Sequence, residues 1–246
     1  MRVFGLIGFP LTHSFSKKYF EEKFQQLNLT EVEYQNFPIK SIPDLKNLIF
    51  EHPNLVGLNV TIPHKKSVLS LLDHLSEEAK EIGAVNCIHI TSEGLKGYNT
   101  DVYGFQMSIK PFIENHYERA LILGTGGASL AIAYVLRNWG IQYFHVTRNV
   151  SEANQVAYKD LSAESLKHYP LIINTTPLGM SPNIDSLPDL PYEGITTNHF
   201  CYDLVYNPAE TAFMHASAVR GAKVMNGYKM LELQAERSWQ IWNNAL

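Results

Sequence analysis

An apolar run beginning at Ala120 ends in the turn Gly124-Thr125-Gly126-Gly127-Ala128-Ser129 and continues as a helical pattern to Trp139. A buried strand that turns through glycines into a helix leaves unpaired N–H groups at the positive end of a helix dipole. That is a binding site for a phosphate anion. In the G-x-G-x-x-G spacing, Gly124 permits the tight turn and Gly126 lets the backbone approach a pyrophosphate. Ser129 takes the third place as a residue small enough for close helix–strand packing. An ordinary strand–turn–helix reads the same way locally, so the following strand, Gln142 to Thr147, carries weight. An NAD enzyme usually places an acid there for the ribose hydroxyls, whereas an NADP enzyme often offers an arginine. Here the strand end reads Val146-Thr147-Arg148-Asn149, with no Asp or Glu. The planar donor fork of Arg148 suits a 2′-phosphate, so the expected cofactor is NADP; a solvated surface arginine is the alternative.

Other polar residues stand where chain segments change character. Phe9 to Ser16 is dense in hydroxyls; Ser14 and Ser16 read either as turn and cap chemistry, with Ser16 capping the next helix, or as a pair aimed at a carboxylate. Leu55 to Ile62 is a largely apolar strand carrying Asn59 and Thr61, and it runs into Pro63-His64-Lys65-Lys66 and a helix through Leu72. Polar side chains where a buried strand leaves the sheet are typical of sites in open α/β sheets. Lys65 at a helix start opposes the dipole, which points to another purpose for it, with a solvent lysine as the competing reading; His64 reads as a packing or surface residue. Asn86 opens one strand. Asp101 follows another and reads as an N-cap of the helix from Val102. Gln234, among Leu231, Leu233, Ala235 and Trp239, is either an exposed filler or one polar ligand contact on a packing face.

These residues need a frame to hold them. The chain has 246 residues, enough for two domains with sizeable cores. Its 45% apolar and 18% charged content is that of an ordinary globular protein, and a net charge of −4 argues against a nucleic-acid partner. Cys87 and Cys201 have no metal or redox spacing and read as buried thiols in a reducing compartment. No signal peptide or membrane-spanning run is evident, so the cytoplasm is the expected location. Strands are expected at Arg2–Gly8, Val32–Ile39, Leu55–Ile62, Val85–Thr91 and Leu95–Thr100, the last two as a hairpin around Ser92-Glu93-Gly94. Helical spacing covers Phe20, Phe24 and Leu27, then Pro43 to Phe50 and Glu77 to Ile82. The first hundred residues thus form an α/β domain of mixed sheet topology. Val102 to Tyr117, broken by Pro111, bridges into a dinucleotide-binding fold. Its later strands are expected at Val156–Leu161, Leu171–Thr175, Phe200–Tyr206 and Ala222–Met225. Helices are expected at Ala163–His168, Pro208–Arg220 (started by proline) and Tyr228–Asn244, with a proline-rich loop from Pro177 to Thr197 and an exit at Gly227.

Seven separated motifs agree on one family. They are Gly8-Phe9-Pro10 with His13-Ser14-Phe15-Ser16; Gly57-Leu58-Asn59-Val60-Thr61-Ile62-Pro63-His64-Lys65; Gly83-Ala84-Val85-Asn86; Gly97-Tyr98-Asn99-Thr100-Asp101; the GTGGAS turn; Asn174-Thr175-Thr176-Pro177-Leu178-Gly179-Met180; and Asn226-Gly227 through Met230-Leu231 to Gln234-Ala235. In this order, over nearly the full length, the chain resembles the shikimate dehydrogenase family. The resemblance implies an N-terminal mixed-sheet α/β substrate domain, 1–101 with 228–246, and a Rossmann-type NADP-binding domain, 102–227, with the C-terminal helix returning to the first domain. It implies reversible reduction of 3-dehydroshikimate to shikimate with NADPH, in chorismate and aromatic amino-acid biosynthesis. Lys65 and Asp101 would be the catalytic pair. Ser14 and Ser16 would bind the substrate carboxylate, Tyr206 would lie near it, and Thr61, Asn86 and Gln234 would bond the ring hydroxyls. Gly124, Thr125, Gly126, Gly127, Ala128, Ser129, Thr147, Arg148, Thr175 and Gly227 would serve the cofactor. The partner would be the small-molecule substrate alone, on a monomer or homodimer.

The chain departs from the family pattern in three places. Lys17 and Tyr19 stand where the family usually has proline and histidine. Glu152 stands where many NADP-using members have a second basic residue, and the segment from Ser151 to Val156 is shorter than the family's helix. A carboxylate near a 2′-phosphate weakens NADP preference. Competing readings are an NAD-dependent quinate/shikimate dehydrogenase, which normally has an acid in place of Arg148, and a non-catalytic binding relative, which should have lost the lysine–aspartate pair. A generic Rossmann dehydrogenase for another small acid is the third, because fold does not fix substrate.

Overall fold

Arg2–Gly8 forms strand β1, buried at every residue but the first, and a run this apolar belongs in the middle of a sheet. It pairs in parallel with β2 (Val32–Pro38) and β3 (Leu55–Val60) on its two sides. β3 continues antiparallel to β5 (Cys87–Thr91), which pairs antiparallel with β6 (Gly94–Tyr98); the short β4 (His74–Leu75) lies parallel to β6 at the edge. The result is a mixed six-stranded sheet in the order β2-β1-β3-β5-β6-β4. One of its cores joins Leu45 and Leu48 of α2 (Asp44–Glu51), Ala79 of α3 (Glu77–Ile82) and Val68 to Ile7, Leu58 and Ile88. The other is aromatic. Phe20 and Phe24 of α1 (Phe15–Gln26) meet Phe4, Tyr34 and Trp242, the last from α8 (Tyr228–Trp242). Trp242 stacks on Phe4 at 5.0 Å and donates its indole N–H to the Ile88 carbonyl at 2.9 Å.

The second sheet is wholly parallel. Its order is β12-β11-β10-β7-β8-β9, from β7 (Arg119–Leu123), β8 (Gln142–Thr147), β9 (Gln155–Ala157), β10 (Leu171–Asn174), β11 (Phe200–Asp203) and β12 (Lys223–Met225). Order reverses between β7 and β10, which makes the ends of those strands the expected ligand crevice of a doubly wound fold. Helix α5 (Gly127–Asn138) buries Ala131, Ile132, Val135 and Leu136, and Leu121, Ile172, Cys201 and Phe213 form the core.

This is a computed structural model that describes residues 1–11 and 15–245. The chain divides into two units, Met1–Tyr103 with Gln234–Leu246, and Gly104–Leu233. The crossings fall inside helices, within α4 (Thr100–Ile109) and within α8. The residues of α8 from Tyr228 to Leu233 group with the second unit and those from Gln234 with the first.

Several local expectations are corrected. Helix α1 already begins at Phe15, so Ser16 lies in its first turn and is not its cap. The segment after Lys65 is a 3-10 helix, Ser67–Leu71, preceded by a turn that holds Lys65. Ser67 and Ser70 bond carbonyls three residues back and compete with an α ladder. Asp101 lies inside α4, and the Asn86 side-chain oxygen Oδ1 accepts the Thr100 N–H instead. The strand expected at Val156–Leu161 is Gln155–Ala157 followed by a 3-10 turn, Tyr158–Asp160. Phe200–Tyr206 stops at Asp203, because that carboxylate accepts the Val205 N–H at 3.0 Å and turns the chain. The helix expected from Pro208 is α7, Ala212–Ala218, capped by Thr211. Both cysteines are free and buried, and burial pushes their thiols up to about 12, so neither is a ready thiolate.

The aromatic core leaves no room above Gly57. A β-carbon there would lie 2.2 Å from the Trp242 indole nitrogen. Gly57→Ala should therefore destabilise the protein by about 1–3 kcal/mol, read as a lower urea midpoint with an unchanged m-value.

Candidate active site

The turn after β3 carries Lys65 to Asp101 in the first turn of α4. Lys65 Nζ lies 2.6 Å from Asp101 Oδ2, and the two side chains are 17% and 8% exposed. The Lys65 carbonyl accepts the Val85 N–H at 2.8 Å, which ties this turn to the chain leading into β5. The other Asp101 oxygen is also held, since Asn86 Nδ2 donates to Oδ1 at 2.8 Å. Asn86 is fixed in turn by its backbone, which accepts from Val60 and donates to the Tyr98 carbonyl. Its side-chain oxygen accepts from the Thr100 N–H at 2.6 Å and lies 3.2 Å from the Thr100 hydroxyl. A lysine whose carboxylate partner is fully committed keeps its remaining N–H donors for something else. Such an arrangement can stabilise an oxyanion and pass a proton.

Of the residues expected to touch substrate, Asn86 and Gln234 fall on the same buried network as this pair. Gln234 is 7% exposed, with Oε1 3.4 Å from the Thr100 hydroxyl. Thr61 follows β3, half-buried, and its N–H bonds the Ile7 carbonyl. Ser16 lies half-buried in the first turn of α1. Ser14 lies outside the described residues. Tyr206 belongs to the second unit, where burial raises its phenol. Sequence reasoning overlooked Tyr34 and Ser238. Tyr34 donates to Asn59 Oδ1 at 2.8 Å, and Asn59 Nδ2 donates to Ser238 Oγ at 2.9 Å. The available signal was a serine one helical turn beyond Gln234. His64 is buried against the Ile39 carbonyl, a packing residue.

In the second unit the glycine turn sits at the ends of β7 and β10. Gly124 has φ +106°, and a β-carbon there would meet the Thr175 hydroxyl at 3.0 Å. Thr175 anchors its own turn by donating to the Leu123 carbonyl at 2.6 Å. Gly126 caps α5, and nothing lies within 4 Å of a β-carbon built on it. That open space before a helix N-terminus fits a dinucleotide phosphate. Thr125, Gly127 and Ala128 complete the turn, and buried Ser129 donates to the Gly126 carbonyl at 2.7 Å. A further residue the sequence reading missed, His145 on β8, bonds the Gly124 carbonyl at 3.0 Å and braces the turn from below. Thr147 ends β8, and Arg148 is exposed beyond it with no ion-pair partner among the described residues. Glu152 is exposed in the bend that follows. Gly227 is packed against the Leu204 carbonyl, 2.1 Å from where a β-carbon would stand, so it needs to be glycine for packing as well. Among the described residues no group of three metal-ligating side chains occurs, and no helix is long and apolar enough to cross a membrane.

A family model described as the shikimate dehydrogenase substrate binding domain matches residues 6–88. The shikimate dehydrogenase (NADP+) of Carboxydothermus hydrogenoformans is 38% identical to this chain over 262 residues, spanning 97% of it and 90% of the relative. Among solved structures, shikimate dehydrogenase 1 of Peptoclostridium difficile is similar at TM-score 0.86 and 39% identity, covering 99% of this chain and 92% of that one. The shikimate 5-dehydrogenase of Thermus thermophilus, in complex with NADP(H) and shikimate, reaches TM-score 0.87 at 30% identity, covering 99% and 94%.

One buried acid near the second site should govern a pH response. Asp203 accepts from Thr211, Val205 and Asn174, yet burial outweighs these bonds and pushes its carboxyl up to about 6 from 3.8. A raised folded value means stability that is full below about pH 4 and lost as pH rises through about 6. The stability of the protein relative to Asp203→Asn should therefore fall across that window by up to about 3 kcal/mol and level off above it. Urea titrations of both proteins at stepped pH check this.

Proposed function

The chain belongs to the shikimate dehydrogenase family, and on that premise we propose that it catalyses the reversible NADPH-dependent reduction of 3-dehydroshikimate to shikimate. The observation that carries the reading is the Lys65–Asp101 pair at 2.6 Å, joined through Asn86 and Thr100 to Gln234. Reduction of a ring ketone needs a cation where negative charge develops and a route for one proton. Lys65 provides the cation, and Asp101 keeps it aimed. Either member can carry the proton, since both stand within one hydrogen bond of each other. Asn86, Thr61 and Gln234 hold the ring hydroxyls and so fix which carbon faces the lysine. Ser14, Ser16 and Tyr206 take the carboxylate.

NADPH, when bound, supplies the hydride for the carbonyl carbon. Gly124, Thr125, Gly126, Gly127, Ala128 and Ser129 cradle its pyrophosphate. Thr175 and Gly227 shape the neighbouring turns, and Thr147 with Arg148 reads the 2′-phosphate. The substrate domain is read as the unit that holds Lys65, and the NADP domain as the one that holds Gly126. Two buried, reduced cysteines agree with a cytoplasmic location, and the protein is read as acting alone or as a homodimer on a small molecule.

Initial rates with shikimate and NADP+, against NAD+ and against quinate, test the reading. Strong turnover with shikimate and NADP+ and negligible turnover with quinate are expected; comparable rates with NAD+ or quinate would move the protein to the dual-substrate branch. Arg148→Gln should raise the KM for NADP+ about tenfold while changing that for NAD+ less than twofold. Equal effects on both cofactors would remove Arg148 as the selector.

A further inference from the structure

The hydrogen bonds behind Asp101 have a direction. Tyr34 has one proton, and it goes to Asn59 Oδ1 at 2.8 Å. That bond fixes the Asn59 amide, whose Nδ2 then faces Ser238 Oγ at 2.9 Å. At the far end, Asn86 Oδ1 is fixed by the Thr100 N–H, so Asn86 Nδ2 must donate to Asp101. The Ser238 and Thr100 hydroxyls meet at 3.2 Å between these two halves. Tyr34, Asn59, Thr100, Asn86 and Ser238 are each 4% exposed or less, so no bulk water substitutes for a missing partner.

Proton counting isolates Ser238. Its single proton can reach the Gln234 carbonyl at 2.9 Å or Thr100 Oγ1 at 3.2 Å. The Thr100 proton can reach Asn86 Oδ1 at 3.2 Å, Gln234 Oε1 at 3.4 Å or Ser238. When Ser238 donates to Thr100, Thr100 is free to donate to Asn86. Every donor from Tyr34 onward then points toward Asp101. In a low-dielectric interior, aligned hydrogen bonds polarise one another.

We propose that Ser238 is a positioning residue whose hydroxyl completes a directed hydrogen-bond chain from Tyr34 to Asp101 and so sets the alignment of Asn86 and the Lys65–Asp101 pair. The proposal rests on the reading above that Asp101 stands at the reacting carbonyl. Ser238 is wholly buried, and its hydroxyl meets Asn59, Thr100 and the Gln234 carbonyl.

The test is a double-mutant cycle of Ser238→Ala with Tyr34→Phe. The phenylalanine keeps the ring that stacks on Phe20 at 4.6 Å and removes only the hydroxyl. Each single variant should lower kcat about tenfold while the KM for shikimate stays within twofold. The double variant should be no slower than the slower single, because one broken link already interrupts the chain. Urea unfolding of the same four proteins, which needs no substrate, should show a loss in folding constant at least about threefold smaller than the product of the singles. Ser238→Thr, which retains the hydroxyl, should recover most of the lost kcat. The proposal is overturned if Ser238→Ala turns over within twofold of the parent, if its loss appears in KM alone, or if the two losses multiply. Absence of shikimate turnover in the parent protein would refute the functional reading instead, and the unfolding cycle would then decide the chain alone: coupling supports it and additivity overturns it.

Discussion

A buried carboxylate with both oxygens committed is the constraint on which the rest of this structure depends. Asp101 is held by Lys65 on one oxygen and by Asn86 on the other. Breaking a buried pair leaves an uncompensated charge, which costs far more than the pair contributes. Each supporting group must therefore arrive together. The antiparallel pairing of β3 with β5 brings Asn86 beside Val60, and the hairpin of β5 with β6 sets it beside Tyr98. Helix α8 delivers Gln234 and Ser238 from the far end of the chain. A mixed sheet makes this possible, because its reversal at β3–β5 lets a strand start and a strand exit share one edge.

The aromatic core serves the same end. Trp242 closes over Gly57 and bonds the Ile88 carbonyl, locking α8 onto the strands that carry the site. On the outer side, Glu236 of α8 bonds Lys23 of α1 through both oxygens, at 2.7 and 2.8 Å, and also Tyr19. Tyr19 is one of the departures from the family pattern, and here it ties the helix that carries Ser16 to the helix that carries Gln234. The second unit uses different means for a similar result. His145, Thr175 and the left-handed Gly124 shape a glycine turn whose open face is the space before Gly126.

Much of this could be read from the chain because the signals are local. Val3–Gly8 carries no polar side chain, Gly124 to Ser129 follows a strand and opens a helix, and the alternation of strands and helices points to the α/β class of both units. The pair of Lys65 with Asp101, by contrast, came from resemblance. Residue 65 stands alone in its turn, and nothing in its neighbourhood names a partner 36 positions away. Ser238 and Tyr34 were missed for the same reason, since their bonds reach 179 and 25 positions along the chain. Boundaries failed where a side chain overrode propensity: Asp203 ended a strand by capturing Val205, and Thr211 started α7 in place of Pro208. The glycine turn was legible in its own residues but not in His145, which sits buried beside Val146 on β8 and looks like any other inward residue.

The central claim is that the Lys65–Asp101 pair acts on turnover and does not merely hold substrate. Steady-state kinetics of Lys65→Ala with shikimate and NADP+, set beside the Kd for shikimate from calorimetry, tests it most directly. The account predicts that kcat falls by about 10²- to 10³-fold, as when one oxyanion donor is removed, while the Kd changes less than about threefold. Comparable losses in kcat and in affinity, or a kcat near that of the parent protein, would contradict it and reduce Lys65 to a ligand.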